Sequence, residues 1–120
     1  MLKLIATTCR ESRRYQAELL RLADEESTST LSPVCLQRKS ELEQILTKIK
    51  SWKELLSNDE RFVVEHHLVE GLDISRVMLL YKERRGIENG KIERTFKKYQ
   101  SNALKKIEAF ELYLATLTMK

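Results

Sequence analysis

From Lys91 towards Thr118 the apolar residues keep one register. Ile92, Phe96, Tyr99, Ala103, Ile107, Phe110, Leu114 and Leu117 are spaced four, three, four, four, three, four and three apart. At about 100° per residue they fall within an arc of roughly 80°, so the stretch is expected to fold as one long helix with a single apolar side. A helix of that length must rest on other elements, and the remaining sequence is suited to supply helices. With three Gly and one Pro in 120 residues, the chain has little of the punctuation that a sheet protein needs. Hydrophobic content of 42% beside 33% charged residues fits an ordered helical chain rather than a disordered one.

Residues 2–25 favour helix throughout, with Tyr15, Leu19 and Leu22 in a stripe that Ile5 extends through Thr8 and Ser12. Residues 26–33 read as a polar hinge, closed by Ser32 as N-cap and Pro33 at the first helical position. The next helix carries Leu42, Ile45, Ile49, Trp52 and Leu56 at spacings of three, four, three and four. That seam is covered either by an antiparallel hairpin with the first helix or by self-association. Ser57 and Glu60 have the spacing of a capping box, which starts a short helix through Phe62, Val63, Val64, Leu68 and Val69 up to Gly71. Asp73 caps a helix from Ile74 to Gly86. Gly86 is expected to close its helix in the left-handed conformation, followed by a turn at Ile87-Glu88-Asn89 with Glu88 or Asn89 capping the long last helix.

Charge is unevenly distributed. Residues 74–107 hold ten Lys and Arg against three acids, while the rest of the chain is slightly acidic. On the last helix Lys91, Arg94, Lys98 and Lys105 share an arc of roughly 60° opposite the apolar stripe, with Lys97 on its flank. A solvated helical face usually mixes signs, but Glu93 is the only acid between Lys91 and Lys106. An anchored back with long cationic side chains in front is what a recognition helix needs to reach phosphates and base edges in a major groove.

Other classes find little support. Cys9 and Cys35 lack metal-type spacing and read as reduced, packed or half-buried thiols of a cytoplasmic protein. The apolar start Met1–Ala6 is too short for a secretion signal, and no window approaches the roughly 20 apolar residues of a membrane span. His66 and His67 are adjacent, so on a helix they point about 100° apart and do not share a metal. No nucleophile–base pair, phosphate loop or acid pair argues for an enzyme, and no cofactor is expected.

From Leu56 onward the order of residues resembles region 4 of bacterial sigma factors, a helix-turn-helix that reads a promoter element. The match runs through Ser57-Asn58-Asp59-Glu60-Arg61, Val63-Val64, Glu70-Gly71, Gly86-Ile87, Lys91-Ile92-Glu93-Arg94 and Ala103-Leu104-Lys105-Lys106-Ile107. It is still more similar to the small sigma-like regulators of phages and mobile elements in Gram-positive bacteria, of the ArpU and RinA kind. The resemblance covers about the second half of the chain and implies double-stranded DNA binding and transcriptional control. It would put Lys91, Arg94, Lys97 and Lys98 on the recognition helix, with Arg84 and Arg85 near the backbone. The family usually has an Ile-Ala pair about four residues before the turn glycine. Here Tyr81-Lys82 stands in that place and Val77-Met78 suits the pair better, which implies about one extra helical turn before Gly86.

The expected architecture is therefore all-α: a helical hairpin over residues 1–56, then a sigma-region-4-like helix-turn-helix with a long last helix over 57–120. Double-stranded DNA is the expected partner, with RNA polymerase or a second copy of the chain at the hairpin. The rival reading is a protein-binding regulator whose basic helical face engages RNA polymerase or a host-defence protein.

Overall fold

Three polar side chains decide where helices begin. Ser32 accepts from the Cys35 amide at 3.2 Å, with Pro33 at the first helical position. Ser57 and Glu60 close a reciprocal box: the Ser57 hydroxyl accepts from the Glu60 amide at 3.2 Å, and the Ser57 amide donates to the Glu60 carboxylate at 2.9 Å. Asp73 accepts from the Arg76 amide at 2.9 Å. Each satisfies an N–H that a helix start would otherwise leave without a partner.

A computed structural model describes residues 1–86 and 93–118. Its regular elements are all helical: α1 Leu2–Arg10, α2 Ser12–Thr28, α3 Pro33–Glu54, α4 Asn58–Val63 running into a π-helical segment Val64–Val69, α5 Ile74–Arg85 and α6 Glu93–Thr118. The all-α class read from the sequence is the class observed. The turn at Ile87-Glu88-Asn89 and its capping residue lie outside the described residues. Gly86 closes α5 at φ 90° and Gly71 follows the π segment at φ 76°. Both are conformations that side chains with a Cβ adopt only with strain.

Two departures from the sequence reading have physical causes. Residues 2–25 do not form one helix; the helix breaks at Glu11, and α2 continues to Thr28. The break lets the two pieces serve different neighbours. α1 buries Ile5, Ala6 and Cys9 against the π segment and α6, while α2 lies along α3. Backbone bonding is kept through the joint, since the Glu11 amide donates to Thr7 and its carbonyl accepts from Tyr15, both at 3.0 Å. The extension to Thr28 is held by hydroxyls: Ser27 donates to the Asp24 carbonyl at 2.6 Å and Thr28 to that of Glu25 at 3.1 Å. The second departure is the π segment, where wider turns carry the Glu70 amide to the Glu65 carbonyl at 2.9 Å.

The seam on α3 is covered within the chain. Leu42, Ile49, Trp52 and Leu56 are buried and Ile45 partly so. Ile49, Trp52 and Leu56 join Val64, Leu68 and Val69 of the π segment, Ile5, Ala6 and Cys9 of α1, and Ala103, Leu104 and Ile107 of α6 in one core. This core therefore draws on residues either side of position 56. Ion pairs hold α2 to α3: Arg38 makes a two-pronged contact with Glu18 at 2.8 and 3.0 Å, and Lys39 meets Glu26 at 2.6 Å. The Arg38 guanidinium, bonded to the Glu18 carboxylate, holds that carboxyl below its ordinary value. The radius of gyration, 17.1 Å, exceeds the roughly 14 Å of a compact chain this size. The molecule is a flat body 19 Å thick and 55 Å long.

Ile49 is 2% exposed. Replacing Ile49 with Asp should cost several kcal/mol, because it strands a carboxylate among apolar groups with no partner. Thermal unfolding of the variant is the check, and a melting temperature equal to wild type would mean the seam is not packed. Glu60 gives a pH-dependent test. Burial pushes its carboxyl up, but bonds from Lys106 and from the Ser57 amide and hydroxyl outweigh burial and leave it below its ordinary value. A lowered folded value means the stabilisation is present above the ordinary glutamate range and lost as pH falls through the folded value. Chemical denaturation from pH 7 to pH 3 should show the wild-type advantage over Glu60→Gln shrinking with acid. A constant difference would contradict this linkage.

Candidate nucleic-acid interface

Phe96 in the first turn of α6 is fully buried, and it fixes the direction in which that helix faces. Its ring lies 5.2 Å from Tyr81 at 82° and 6.1 Å from Tyr99 at 89°. Tyr81 continues the edge-to-face chain to Phe62 of α4, 5.3 Å away at 89°. Such pairs contribute about 0.5–1.5 kcal/mol each beyond the area they bury. The Tyr81 hydroxyl donates to Asp59 at 2.9 Å. Burial first, and then Asp59, raise both the Tyr81 and the Tyr99 hydroxyl above the ordinary tyrosine value, so both stay protonated donors. Tyr81 is thus a buried, hydrogen-bonded strut between α5 and α4.

With Phe96 pointing inward, helical geometry carries Arg94, Lys98 and Lys105 to within about 20° of the opposite side. All three are exposed, and none has an ion-pair or hydrogen-bond partner among the described residues. Between Arg94 and Lys105 the stripe spans roughly 16 Å at 1.5 Å per residue. Lys97 is also exposed but stands on the flank, where Glu93 pairs with it at 3.2 Å. Lys91 lies outside the described residues. Lys106 faces the body instead and bonds the buried Glu60 carboxylate at 2.6 Å. That pair bolts α6 to the start of α4.

Arg84 and Arg85 belong to a second group. Their guanidinium carbons each sit 5.9 Å from the Phe62 ring, and that of Arg85 lies 5.6 Å from Tyr81. Arg84 also donates to the buried His66 Nε2 at 3.3 Å. The five described residues among the six read from the sequence therefore divide. Arg94 and Lys98 share the outer face of α6, Lys97 is at its edge, and Arg84 and Arg85 gather on the aromatic cluster around Phe62. Lys105 completes the outer stripe.

His66, Asp59 and Phe62 were not singled out by the sequence reading as site residues. Only the spacing of four between His66 and Glu70 hinted at a contact; their 3.0 Å pairing is that of ordinary helical neighbours, and the approach of Arg84 requires the tertiary fold. His67 is separately engaged, its Nδ1 2.7 Å from the Leu72 carbonyl. Cys9 is buried and its thiol pushed up to about 11, mainly by burial, so it is a packing residue and not a nucleophile. Among the described residues, no helix is long and apolar enough to cross a membrane. Compared with family models, curated proteins and solved structures, the chain gives no match.

Proposed function

We propose that this chain is a sequence-specific double-stranded DNA-binding transcription regulator of the sigma-region-4 type, encoded by a phage or mobile element. In this reading α5 and α6 are the two helices of the helix-turn-helix and α6 is the recognition helix. Residues 57–120 form the DNA-binding part, while α2 and α3 form a hairpin available to RNA polymerase or to a second copy. The observation that carries it is the stripe of Arg94, Lys98 and Lys105, exposed and without partners among the described residues, on a helix whose other side is locked by Phe96. Cations on a firm support suit a polyanion when, as here, no carboxylate among the described residues competes for them.

One further surface suits a protein contact beside the proposed DNA contact. The far end of α6 exposes Leu112, Tyr113 and Leu117 at 51%, 60% and 47%. A groove of about 580 Å³, lined by Phe110 and Leu114 with Ser40, Gln44 and Thr47 of α3, runs beside it. An apolar end of this kind suits a protein contact in addition to DNA.

Replacing Arg94, Lys98 or Lys105 with Ala should weaken duplex binding and leave the melting temperature within about half a kcal/mol equivalent of wild type. Lys97→Ala should have the smaller effect, since Glu93 already holds that charge. Residues that touch only phosphate should weaken all sequences alike and lower the salt slope by about one unit each. Arg94, whose planar fork matches guanine, should instead cost roughly 1–3 kcal/mol on the preferred site alone. Titrations on random duplexes, and on duplexes recovered by selection, separate the two roles. No duplex binding at low salt would sink the DNA reading and leave the protein-binding regulator.

A further inference from the structure

His66 is 6% exposed and both of its ring nitrogens are engaged. Nδ1 lies 3.0 Å from Glu70 Oε2, and Nε2 lies 3.3 Å from Arg84 Nη1. A guanidinium only donates, so Nε2 must present its lone pair. The proton of the neutral ring is then on Nδ1, where it donates to the Glu70 carboxylate. Both contacts are satisfied together only while the imidazole is uncharged. The ring also packs against Phe62, with centroids 4.5 Å apart.

The groups facing this histidine can be named from every element around it. Glu70 lies just beyond the π segment itself, and its carbonyl accepts from Arg13 of α2 at 3.1 Å. Arg84 and Arg85 approach from α5, and α4 offers the apolar Phe62. α1 presents Ile5, Ala6 and the neutral thiol of Cys9 to the segment. One carboxylate thus stands among cations. While His66 is neutral, the charge of Glu70 is balanced through the ring by Arg84. A second proton on the ring gives Glu70 a direct cationic partner and leaves Nε2–H facing Arg84, donor against donor.

We infer that His66 is a proton-sensitive positioning residue that holds the exposed guanidinium of Arg84 against the π segment when neutral and lets it go when protonated. Histidine is the side chain suited to this between about pH 5 and 8. Arg84 itself stays charged throughout; what changes is whether its guanidinium is bonded to the His66 ring or available to a polyanion. The consequence for duplex binding rests on the proposed function, whereas the contact itself does not.

Nitrogen NMR of the full chain tests the contact without DNA. At pH 8 the His66 ring should carry its proton on Nδ1, and the Arg84 side-chain resonances should move with the His66 titration as pH falls to 5. A proton on Nε2 at pH 8, or Arg84 signals that ignore the titration, would overturn the inference. The second arm uses a random-sequence duplex. Wild-type binding should tighten several-fold from pH 8 to pH 5.5 and its salt slope should grow by about one unit, one further phosphate contact. His66→Gln offers Arg84 a carbonyl oxygen that does not titrate, so its binding should lose that added pH dependence, while His67→Gln, at the only other histidine, should keep it. If the duplex binds and His66→Gln retains the full pH dependence, the positioning role is wrong. Absence of duplex binding at every pH would remove the proposed function, with the NMR titration still deciding the contact.

Discussion

One 26-residue helix has to satisfy three neighbours along its length, and most of the fold follows from that constraint. Near its start, Phe96 of α6 locks onto Tyr81 and, through it, onto Phe62. In its middle, Ala103 and Ile107 are fully buried in the core with α1, α3 and the π segment. Further on, Glu111 accepts from the Trp52 indole at 2.6 Å and pairs with Lys48 of α3 at 3.2 Å. A rigid helix pinned at three places leaves its outer face little freedom to turn. The orientation of Arg94, Lys98 and Lys105 is therefore set by contacts on the other side of the helix.

The break at Glu11 and the π segment follow from the same demand. The elements packed on α6 have to meet it along its length. α1 brings Ile5, Ala6 and Cys9 into one core with Val64 and Leu68. The π segment widens so that Val64, Leu68 and Val69 face the larger core while His66 faces Phe62 and Arg84. An α-helical repeat of 3.6 residues brings positions 64 and 68 to one side but places 66 and 69 less favourably. The wider turn reconciles two packing faces on six residues. Neither Gly nor Pro marks either place, so the deformation comes from packing and not from a local breaker.

What was legible in the sequence was what depends on near neighbours. Ser32, Ser57 and Asp73 cap the helices they were expected to cap, because capping needs only a residue and the amide three positions on. The α3 seam and the α6 stripe were legible because periodicity reports which side is buried; Ile49, Trp52, Phe96 and Ile107 are all inside. The cover for each side was less legible. Nothing local says that the second half of the α3 seam meets α1 and α6, or that Glu111 answers the Trp52 indole across 59 positions. The candidate surface divides the same way. The outer face of α6 is a property of one helix, whereas the Glu70–His66–Arg84 chain joins two elements and exists only in the folded protein.

The basic excess of residues 74–107 is thus partly structural. Lys106 is bound to a buried carboxylate, Lys97 to Glu93, and Arg84 to the imidazole of His66. A charge held in this way gains little from a new partner, because the first contact must be given up before the second is made. Lys106 illustrates the point most sharply: taking it away from Glu60 would leave that carboxylate buried beside the Ser57 cap with one donor fewer. Counting Lys and Arg along the chain consequently overstates what a polyanion would meet. The cations of α6 without partners among the described residues are the ones on the side away from Phe96. An aromatic anchor occupies the inner side there, and no carboxylate among the described residues pairs with the three cations of the outer one.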